Sequence, residues 1–212
     1  MKSCTVILSY IENMTPEFIR SHCPEGSLIL CADGGQKIAR IAGIQPDVVI
    51  GDFDSTGDFE RFDCLYITYP VEKDLTDTEA CLLYAVEQGC DDILLLGGIG
   101  GRLDHTLGNL ALLQEFYAPD RKIRFLDPLN SAELLVNSSI TIPYDSGYRF
   151  FSLVSVEKEA VGITITGAKY NLDNAVLPRT TTLGISNEIV SDRSVITVTD
   201  GTLYIIRSSD RS

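Results

Sequence analysis

The chain has 212 residues, of which 44% are hydrophobic, enough for one large domain or two small ones with real cores. Its 30 acidic residues outnumber its 17 basic ones, and a formal net charge of −13 argues against nucleic-acid binding, because phosphates would be repelled. No apolar stretch approaches the roughly 20 residues of a membrane span, and the first residues lack a signal-peptide pattern. The six cysteines have no zinc-type spacing, so we expect reduced thiols and a cytoplasmic protein without membrane partners.

Strand-like and helix-like segments alternate over residues 1–128. Six apolar runs predict strands, namely CTVILSY, SLILCAD, DVVIGDFD, LYITYP, DILLLGG and KIRFLD. Helical patterns cover GGQKIARIAG, residues 76–88 and residues 103–117, and the last is expected to bury a stripe of Leu103, Leu107, Leu110 and Leu113. This alternation predicts an α/β domain with a parallel sheet covered on both faces.

Residues 129–212 have a different pattern, with short alternating runs, frequent turn residues and no helical periodicity. The runs include ITIPY, YRFFSLVSV, VGITITGA and SVITVTD. The segment VITVTDGTLYII carries Asp-Gly between two apolar runs, which predicts a β-hairpin. We therefore expect an all-β sandwich or barrel after the α/β domain.

Acidic and glycine-rich residues follow the predicted strands of the first domain. They occur in ADGG after the second strand, GDFDS after the third, EKDLTDTEA after the fourth and GGIGGRLDH after the fifth. Ligands of an open parallel sheet bind at the carboxyl ends of its strands. Because all four segments fall on that edge, the sequence predicts a ligand site there.

The segment GDFDS permits two interpretations. Asp52 and Asp54 are two residues apart on a strand and point the same way, so their charges repel unless a cation lies between them. A hard-cation site fits, because Mg²⁺ binds carboxylates together with substrate phosphates. Alternatively, Asp54 or Ser55 ends a turn and caps a short helix. Phe53 is expected to point to the other face and anchor the turn.

The segment KDLTDTEA contains a helix start and additional charges. Thr76 and Glu79 form a predicted capping box for the following helix. That cap does not require Lys73, Asp74 or Asp77, so Asp74 is a candidate metal ligand and Lys73 a candidate phosphate contact. The competing interpretation is that these charges only favour the positive helix terminus or are solvated.

The segment GGIGGRLDHTLGNL has glycines that lead into a helix, an arrangement that suits phosphate binding. It matches neither the dinucleotide fingerprint nor the P-loop. Arg102 can hold a phosphate with two hydrogen bonds. His105 and Asn109 are four residues apart on one helix face, and His105 is either a general base or a histidine with only a hydrogen-bonding role.

Together these motifs, with GISNEIV further along, resemble the bacterial thiamine pyrophosphokinases between about Ser27 and Arg207. The resemblance implies a nucleotide-binding α/β domain over 1–128 and a thiamine-binding β-sandwich over 129–212. It implies a transferase that moves diphosphate from ATP to the hydroxyethyl group of thiamine and releases AMP. It also implies Mg²⁺ as cofactor and a homodimer with thiamine at the subunit interface.

The same resemblance implies roles for individual residues. Asp52, Asp54 and Asp74 correspond to magnesium ligands, and Asp77 belongs to the same motif. Asp104 lies near the phosphates or thiamine, and Ser186 and Asn187 contact thiamine. Apart from the resemblance, Lys73, His105 and Asn109 are further candidate ligand contacts. The nucleotide and phosphate contacts are Asp33, Gly34, Gly35, Gly98, Gly100, Gly101 and Arg102.

Two questions stay open at this point. Some family members stack a tryptophan on thiamine, but this chain contains none; Tyr204 lies at about that place and is either the stacking residue or part of the sandwich core. A diphosphokinase for another alcohol, such as a hydroxymethylpterin, and a non-catalytic nucleotide sensor are the competing functions.

Overall fold

The computed structural model describes residues 1–53, 61–68 and 75–210, and it divides the chain into two compact units, Met1–Pro128 and Leu129–Ser212. Three predicted site residues, Asp54, Lys73 and Asp74, lie outside the described residues. Among the helices of the described part, not one has the length and hydropathy needed to cross a membrane.

The described residues of the first unit form six strands in the order β6-β5-β1-β2-β3-β4, and every neighbouring pair is parallel. All six correspond to apolar runs in the sequence, because a strand buried on both faces needs continuous hydrophobicity. Their bounds are β1 (Ser3–Ile7), β2 (Leu28–Ala32), β3 (Val48–Gly51), β4 (Leu65–Thr68), β5 (Asp92–Leu96) and β6 (Lys122–Leu126).

In the same described part, four helices accompany these strands: α1 (Pro16–Ser21), α2 (Gly35–Ala42), α3 (Asp77–Glu87) and α4 (Leu103–Glu115). The sequence reading did not predict α1, which begins with Thr15 as N-cap, its hydroxyl accepting a hydrogen bond from the Phe18 N–H at 3.2 Å. The predicted cap of α3 is present, since the Thr76 hydroxyl accepts from the Glu79 N–H at 3.2 Å. Helix α2 ends at Gly43 in the left-handed conformation that glycine favours.

Both faces of the parallel strands are covered. Ile7, Cys31 and Val49 point to one face, where they pack with residues of α1 and α2. Leu30 and Ile50 point to the opposite face and are also fully buried. Phe53 packs against the first of these faces, as predicted, whereas the turn that it was expected to anchor continues outside the described residues.

The buried stripe predicted for α4 is wrong at two of its four positions. Leu103 and Leu107 expose 70% and 60% of their surface, whereas Leu113 is buried and Leu110 is half-buried. Asn109 lies on the buried side instead and exposes only 6%. The helical period identifies an apolar face, but it does not tell whether the same chain covers that face.

The second unit consists of two antiparallel four-stranded sheets, in the orders β12-β9-β14-β7 and β11-β10-β13-β8. Phe151, Leu203 and Ile205 of the first sheet pack with Ile163 and Ile196 of the second in one core, which makes the unit a sandwich. The strands are β7 (Asn130–Val136), β8 (Ser139–Pro143), β9 (Phe150–Ser155), β10 (Glu159–Thr166), β11 (Leu172–Pro178), β12 (Asn187–Glu188), β13 (Arg193–Thr197) and β14 (Thr202–Ser208).

The predicted Asp-Gly hairpin is wrong. Strand β13 pairs with β8 and β10, while β14 pairs with β7 and β9, so the two strands belong to opposite sheets. Gly201 has a φ of +115°, and its N–H donates to the Asn137 side chain at 2.8 Å. Ile196 and Leu203 share the core, so hydrophobic packing across the sandwich replaces pairing side by side.

Candidate active site

The order of the parallel strands changes direction between β1 and β5. From β1 the chain adds β2, β3 and β4 on one side, and it then adds β5 and β6 on the other. Such a switch point leaves a crevice at the carboxyl ends of the two central strands, where open α/β sheets bind ligands. The segments that follow these strands are Leu8–Glu12 and Gly97–Arg102.

A cavity of about 320 Å³ lies at this switch point. Leu8 and Ala32 provide apolar surface, and Thr76 and Asp77 contribute polar groups from the start of α3. Arg102 and His105 line it from the start of α4. The cavity therefore combines an apolar region with the N-terminal ends of two helices, which attract anions.

The glycine-rich segment fits closely against the residues that follow β1. Gly97, Gly98, Gly100 and Gly101 all have positive φ, between +62° and +92°. A Cβ on Gly97 would overlap the carbonyl oxygen of Tyr10. Close packing thus explains the glycines at Gly97, Gly98 and Gly101, independently of any phosphate, whereas Gly100 has more space; Gly98 and Gly100 also line the cavity.

Two side chains of α4 hold this glycine-rich segment in place. The Asn109 amide donates to the Gly98 carbonyl at 2.6 Å. The Thr106 hydroxyl accepts from the Gly100 N–H at 3.0 Å, and it lies 3.1 Å from the Gly100 carbonyl. Asn109, predicted as a ligand contact, therefore has a structural role as well as a place in the cavity lining.

Arg102 and Asp104 form a bidentate ion pair at the start of α4. The Arg102 Nη2 lies 2.6 Å from Oδ2 of Asp104, and Nε lies 3.1 Å from Oδ1. These hydrogen bonds lower the pKa of Asp104 to about 2 and raise the pKa of Arg102. Both side chains remain largely exposed, so the guanidinium is accessible to an incoming anion.

The acidic residues after β2 and β3 lie next to each other. The Asp33 N–H donates to the Ile50 carbonyl at 2.8 Å, which ties the residue after β2 to the end of β3. A Cβ on Gly51 would come within 3.0 Å of the Asp33 Cα, so these backbones are in close contact. Asp52 follows directly, as the sequence pattern predicts.

Glycines also allow α2 to begin beside this point. A Cβ on Gly35 would overlap the Ile7 carbonyl oxygen, and one on Gly34 would lie 3.2 Å from the Ser9 Cβ. Both positions are therefore constrained by close approach to the end of β1.

The acidic side chains at the strand ends supply only part of the predicted magnesium site within the described residues. Across residues 1–53, 61–68 and 75–210, no three His, Cys, Asp or Glu side chains are arranged to hold a metal ion. Asp54 and Asp74, two of the three predicted ligands, fall in the gaps between those ranges. The third, Asp52, and the neighbouring Asp33 are carboxylates at the strand ends, the hard oxygen donors that suit Mg²⁺.

The predicted thiamine contacts of the second unit have distinct environments. Asn187 is buried, and its amide bonds the Tyr170 backbone twice, at 3.0 Å and 2.7 Å. Ser186 has a φ of +58°, and its N–H donates to the Ser152 hydroxyl at 3.0 Å. Tyr204 alternates with the core residues Leu203 and Ile205, so its ring lies on the outer face of β14 and the interpretation as core is wrong.

The sequence reading missed Tyr10 and Thr106. Tyr10 lines the cavity, and Thr106 holds the glycine-rich segment. The sequence signal for Tyr10 is only its position after the first strand, which becomes informative once the strand order is known.

Both parts of the chain match known families. Residues 20–125 match "Thiamin pyrophosphokinase, catalytic domain", and residues 137–203 match "Thiamin pyrophosphokinase, vitamin B1 binding domain". The thiamine pyrophosphokinase of Bacillus subtilis (strain 168) is 33% identical over 216 residues, covering 99% of this chain and 100% of its own.

Solved structures agree with this match. The crystal structure of the thiamine pyrophosphokinase from Bacillus subtilis has a TM-score of 0.90 at 32% identity, covering 99% of this chain and 100% of that one. The thiamin pyrophosphokinase from Geobacillus thermodenitrificans has a TM-score of 0.85 at 33% identity, covering 99% and 98%. The yeast thiamin pyrophosphokinase, at 19% identity over 98% and 86%, shares the fold with a TM-score of 0.77.

Proposed function

The chain belongs to the thiamin pyrophosphokinase family, and from this premise we propose which of its residues carry out the reaction. The protein is a thiamine diphosphokinase, which converts thiamine to thiamine diphosphate with ATP as co-substrate. The hydroxyl oxygen of thiamine attacks the β-phosphorus of ATP. The bond from that phosphorus to the oxygen of the α-phosphate breaks, AMP leaves, and the hydroxyl proton is released.

The cavity at the switch point is the proposed ATP site. The observation that carries this assignment is that the helices α3 and α4 both begin at the cavity, with Thr76, Asp77 and Arg102 in its lining. Helix N-termini and a guanidinium bind phosphate oxygens. Gly98, Gly100 and Gly101, with Lys73 from outside the described residues, are the further proposed phosphate contacts, and Asp33, Gly34 and Gly35 flank the nucleotide.

Magnesium is the proposed cofactor, held by Asp52, Asp54 and Asp74 with Asp77 in the same motif. Bound there, Mg²⁺ would neutralise charge on the phosphate oxygens of ATP. The chain's net charge of −13 supports this proposal, because a polyanionic substrate approaches such a protein more readily as a metal complex.

Arg102 is the proposed stabiliser of charge on the transferred group. Asp104 is proposed to orient that guanidinium rather than to accept the proton, because a pKa of about 2 makes it a weak base. His105 lines the cavity and is a proposed ligand contact, and Asn109 fixes the glycine-rich segment. Ser186, Asn187 and Tyr204 are the proposed thiamine contacts in the second unit.

The decisive experiment replaces Asp52 by Asn and measures thiamine-dependent formation of AMP from ATP. We expect at least a hundredfold loss of turnover with an unchanged unfolding midpoint, because the change removes one metal-binding charge and keeps the shape. Asp120→Asn, at an exposed acid between α4 and β6, is the matched control and should behave as wild type. Normal turnover in Asp52→Asn would remove the metal role, and AMP formation with a hydroxymethylpterin but not thiamine would change the acceptor.

We also propose that the enzyme is a cytoplasmic homodimer with thiamine at the subunit interface. The six cysteines, all within the described residues, form no disulfide, which is compatible with a reducing compartment. The exposed Leu103 and Leu107 of α4 supply apolar surface for a second copy. Because α4 begins at the cavity, a subunit docked on this helix would lie beside the ATP site.

A further inference from the structure

Tyr10 is the large aromatic residue at the cavity, and neither the sequence motifs nor the proposed mechanism uses it. It follows β1, lines the cavity and exposes 43% of its surface. Exposure alone does not distinguish it, since Tyr117 is equally exposed at 42%, but Tyr10 lies at the cavity, and aromatic side chains are frequent in binding sites.

The ring of Tyr10 has one covered face and one accessible face. A Cβ on Gly101 would lie 2.8 Å from Cζ, 3.0 Å from Cε1 and 3.2 Å from Cε2 of the ring. The three distances are similar, and the hydroxyl oxygen is not among the three nearest atoms. Gly101 therefore lies over the face of the aromatic ring. Tyr10 exposes 43% of its surface, so the opposite face is the one available to a ligand.

The backbone of Tyr10 is held firmly. Its carbonyl oxygen accepts a hydrogen bond from the Gly98 N–H at 2.8 Å. Gly97 packs against the same carbonyl so closely that no side chain fits between them. A fixed backbone, together with Gly101 packed on one face of the ring, reduces the conformational entropy that the side chain loses when a planar ligand stacks on it.

We propose that the accessible face of Tyr10 is the platform on which the adenine base of ATP stacks. This inference rests on the proposed function and extends it, because it assigns the base to the Tyr10 side of the cavity. Arg102 and the helix N-termini attract the triphosphate, and Leu8 and Ala32, which line the same cavity as Tyr10, give apolar surface that a base prefers.

The test compares Tyr10→Leu and Tyr10→Phe with Tyr117→Leu, which changes an equally exposed tyrosine (42%) beyond the end of α4. We expect Tyr10→Leu to raise the KM for ATP by roughly 5- to 100-fold, the range for losing one base–aromatic stack. Calorimetry should show weaker AMP binding but unchanged binding of inorganic tripolyphosphate. The KM for thiamine should not change, and Tyr117→Leu should resemble wild type. Tyr10→Phe, which keeps the aromatic face, should restore most of the ATP affinity lost in Tyr10→Leu.

A second variant gives a direct readout even if Tyr10→Leu folds poorly. The chain contains no tryptophan, so Tyr10→Trp would introduce a single indole fluorophore at this position. Stacking of a base should quench its emission with ATP and AMP, and inorganic tripolyphosphate should leave it unchanged.

Results that contradict the stacking role of Tyr10 can be distinguished from results that contradict the proposed function. An unchanged KM for ATP in Tyr10→Leu, with active wild type, overturns the stacking role and leaves the proposed function intact. Equal loss of tripolyphosphate and AMP binding, or a raised KM for thiamine alone, also overturns it, since Tyr10 would then shape the phosphate or acceptor site. Wild-type protein that makes no thiamine diphosphate contradicts the proposed function itself.

Discussion

The ion pair of Arg102 and Asp104 determines how the positive charge at the start of α4 is presented. The pair is bidentate and exposed, so the carboxylate fixes the plane of the guanidinium without removing it from solvent. The hydrogen bonds from Arg102 hold the pKa of Asp104 at about 2, below its ordinary value of about 3.9. Any stabilisation from the pair is therefore present above pH 4 and is lost as the pH falls toward 2.

Replacing Asp104 by Asn tests whether this carboxylate orients Arg102 or accepts a proton. We expect kcat to fall by about ten- to a hundredfold, because a misaligned guanidinium stabilises the transferred group less well. The shape of the pH–rate profile between pH 6 and 9 should not change, since Asp104 stays ionised throughout that window. Kinetics across this range check the prediction, and loss of the acidic limb in the variant would instead identify Asp104 as the base.

At the scale of elements, the site depends on the contact between the segments that follow β1 and β5. Gly97→Ala introduces a Cβ that overlaps the Tyr10 carbonyl at a φ of +88°. Gly89→Ala is the matched control, because its φ of +75° is similar but its surroundings are open. Both variants bear about 1–2 kcal/mol of left-handed strain, and the clash should cost Gly97→Ala a further 1–3 kcal/mol, roughly.

Urea unfolding of the two glycine variants measures this difference. We expect a lower unfolding free energy and a higher KM for ATP in Gly97→Ala, and near-normal kinetics in Gly89→Ala. Equal destabilisation in both would mean that the segment after β1 can move away, and that backbone conformation alone requires glycine there.

The same elements show what sequence could predict. Asp33, Asp52 and Gly97 follow parallel strands, and their common edge was predictable because parallel strands end on one side of a sheet. Tyr10 was not predictable, since its role depends on β1 lying beside β5. The hairpin predicted from the Asp-Gly turn at Gly201 was wrong, because a local turn signal does not specify which sheet the next strand joins.

At the scale of the whole molecule, the leucines of α4 show that a sequence pattern does not predict which molecule buries an apolar face. Their spacing correctly indicates an apolar helix face, yet Leu103 and Leu107 are exposed within one chain. An apolar pattern indicates that a helix face is buried, but it does not identify the chain that buries it. This is the physical reason for proposing that a second copy of the chain covers Leu103 and Leu107.

The proposed dimer is tested by Leu107→Glu, which puts a charge on this face. Wild-type protein should elute with twice the mass of one chain in light-scattering chromatography, and the variant should elute as a single chain, because an unpaired buried charge strongly disfavours association. Ile41→Glu on α2, whose side chain is 64% exposed, is the control and should remain dimeric.

If thiamine binds at this interface, Leu107→Glu should also raise the KM for thiamine. A dimeric Leu107→Glu would move the contact to another surface, and a monomeric wild type would remove the dimer.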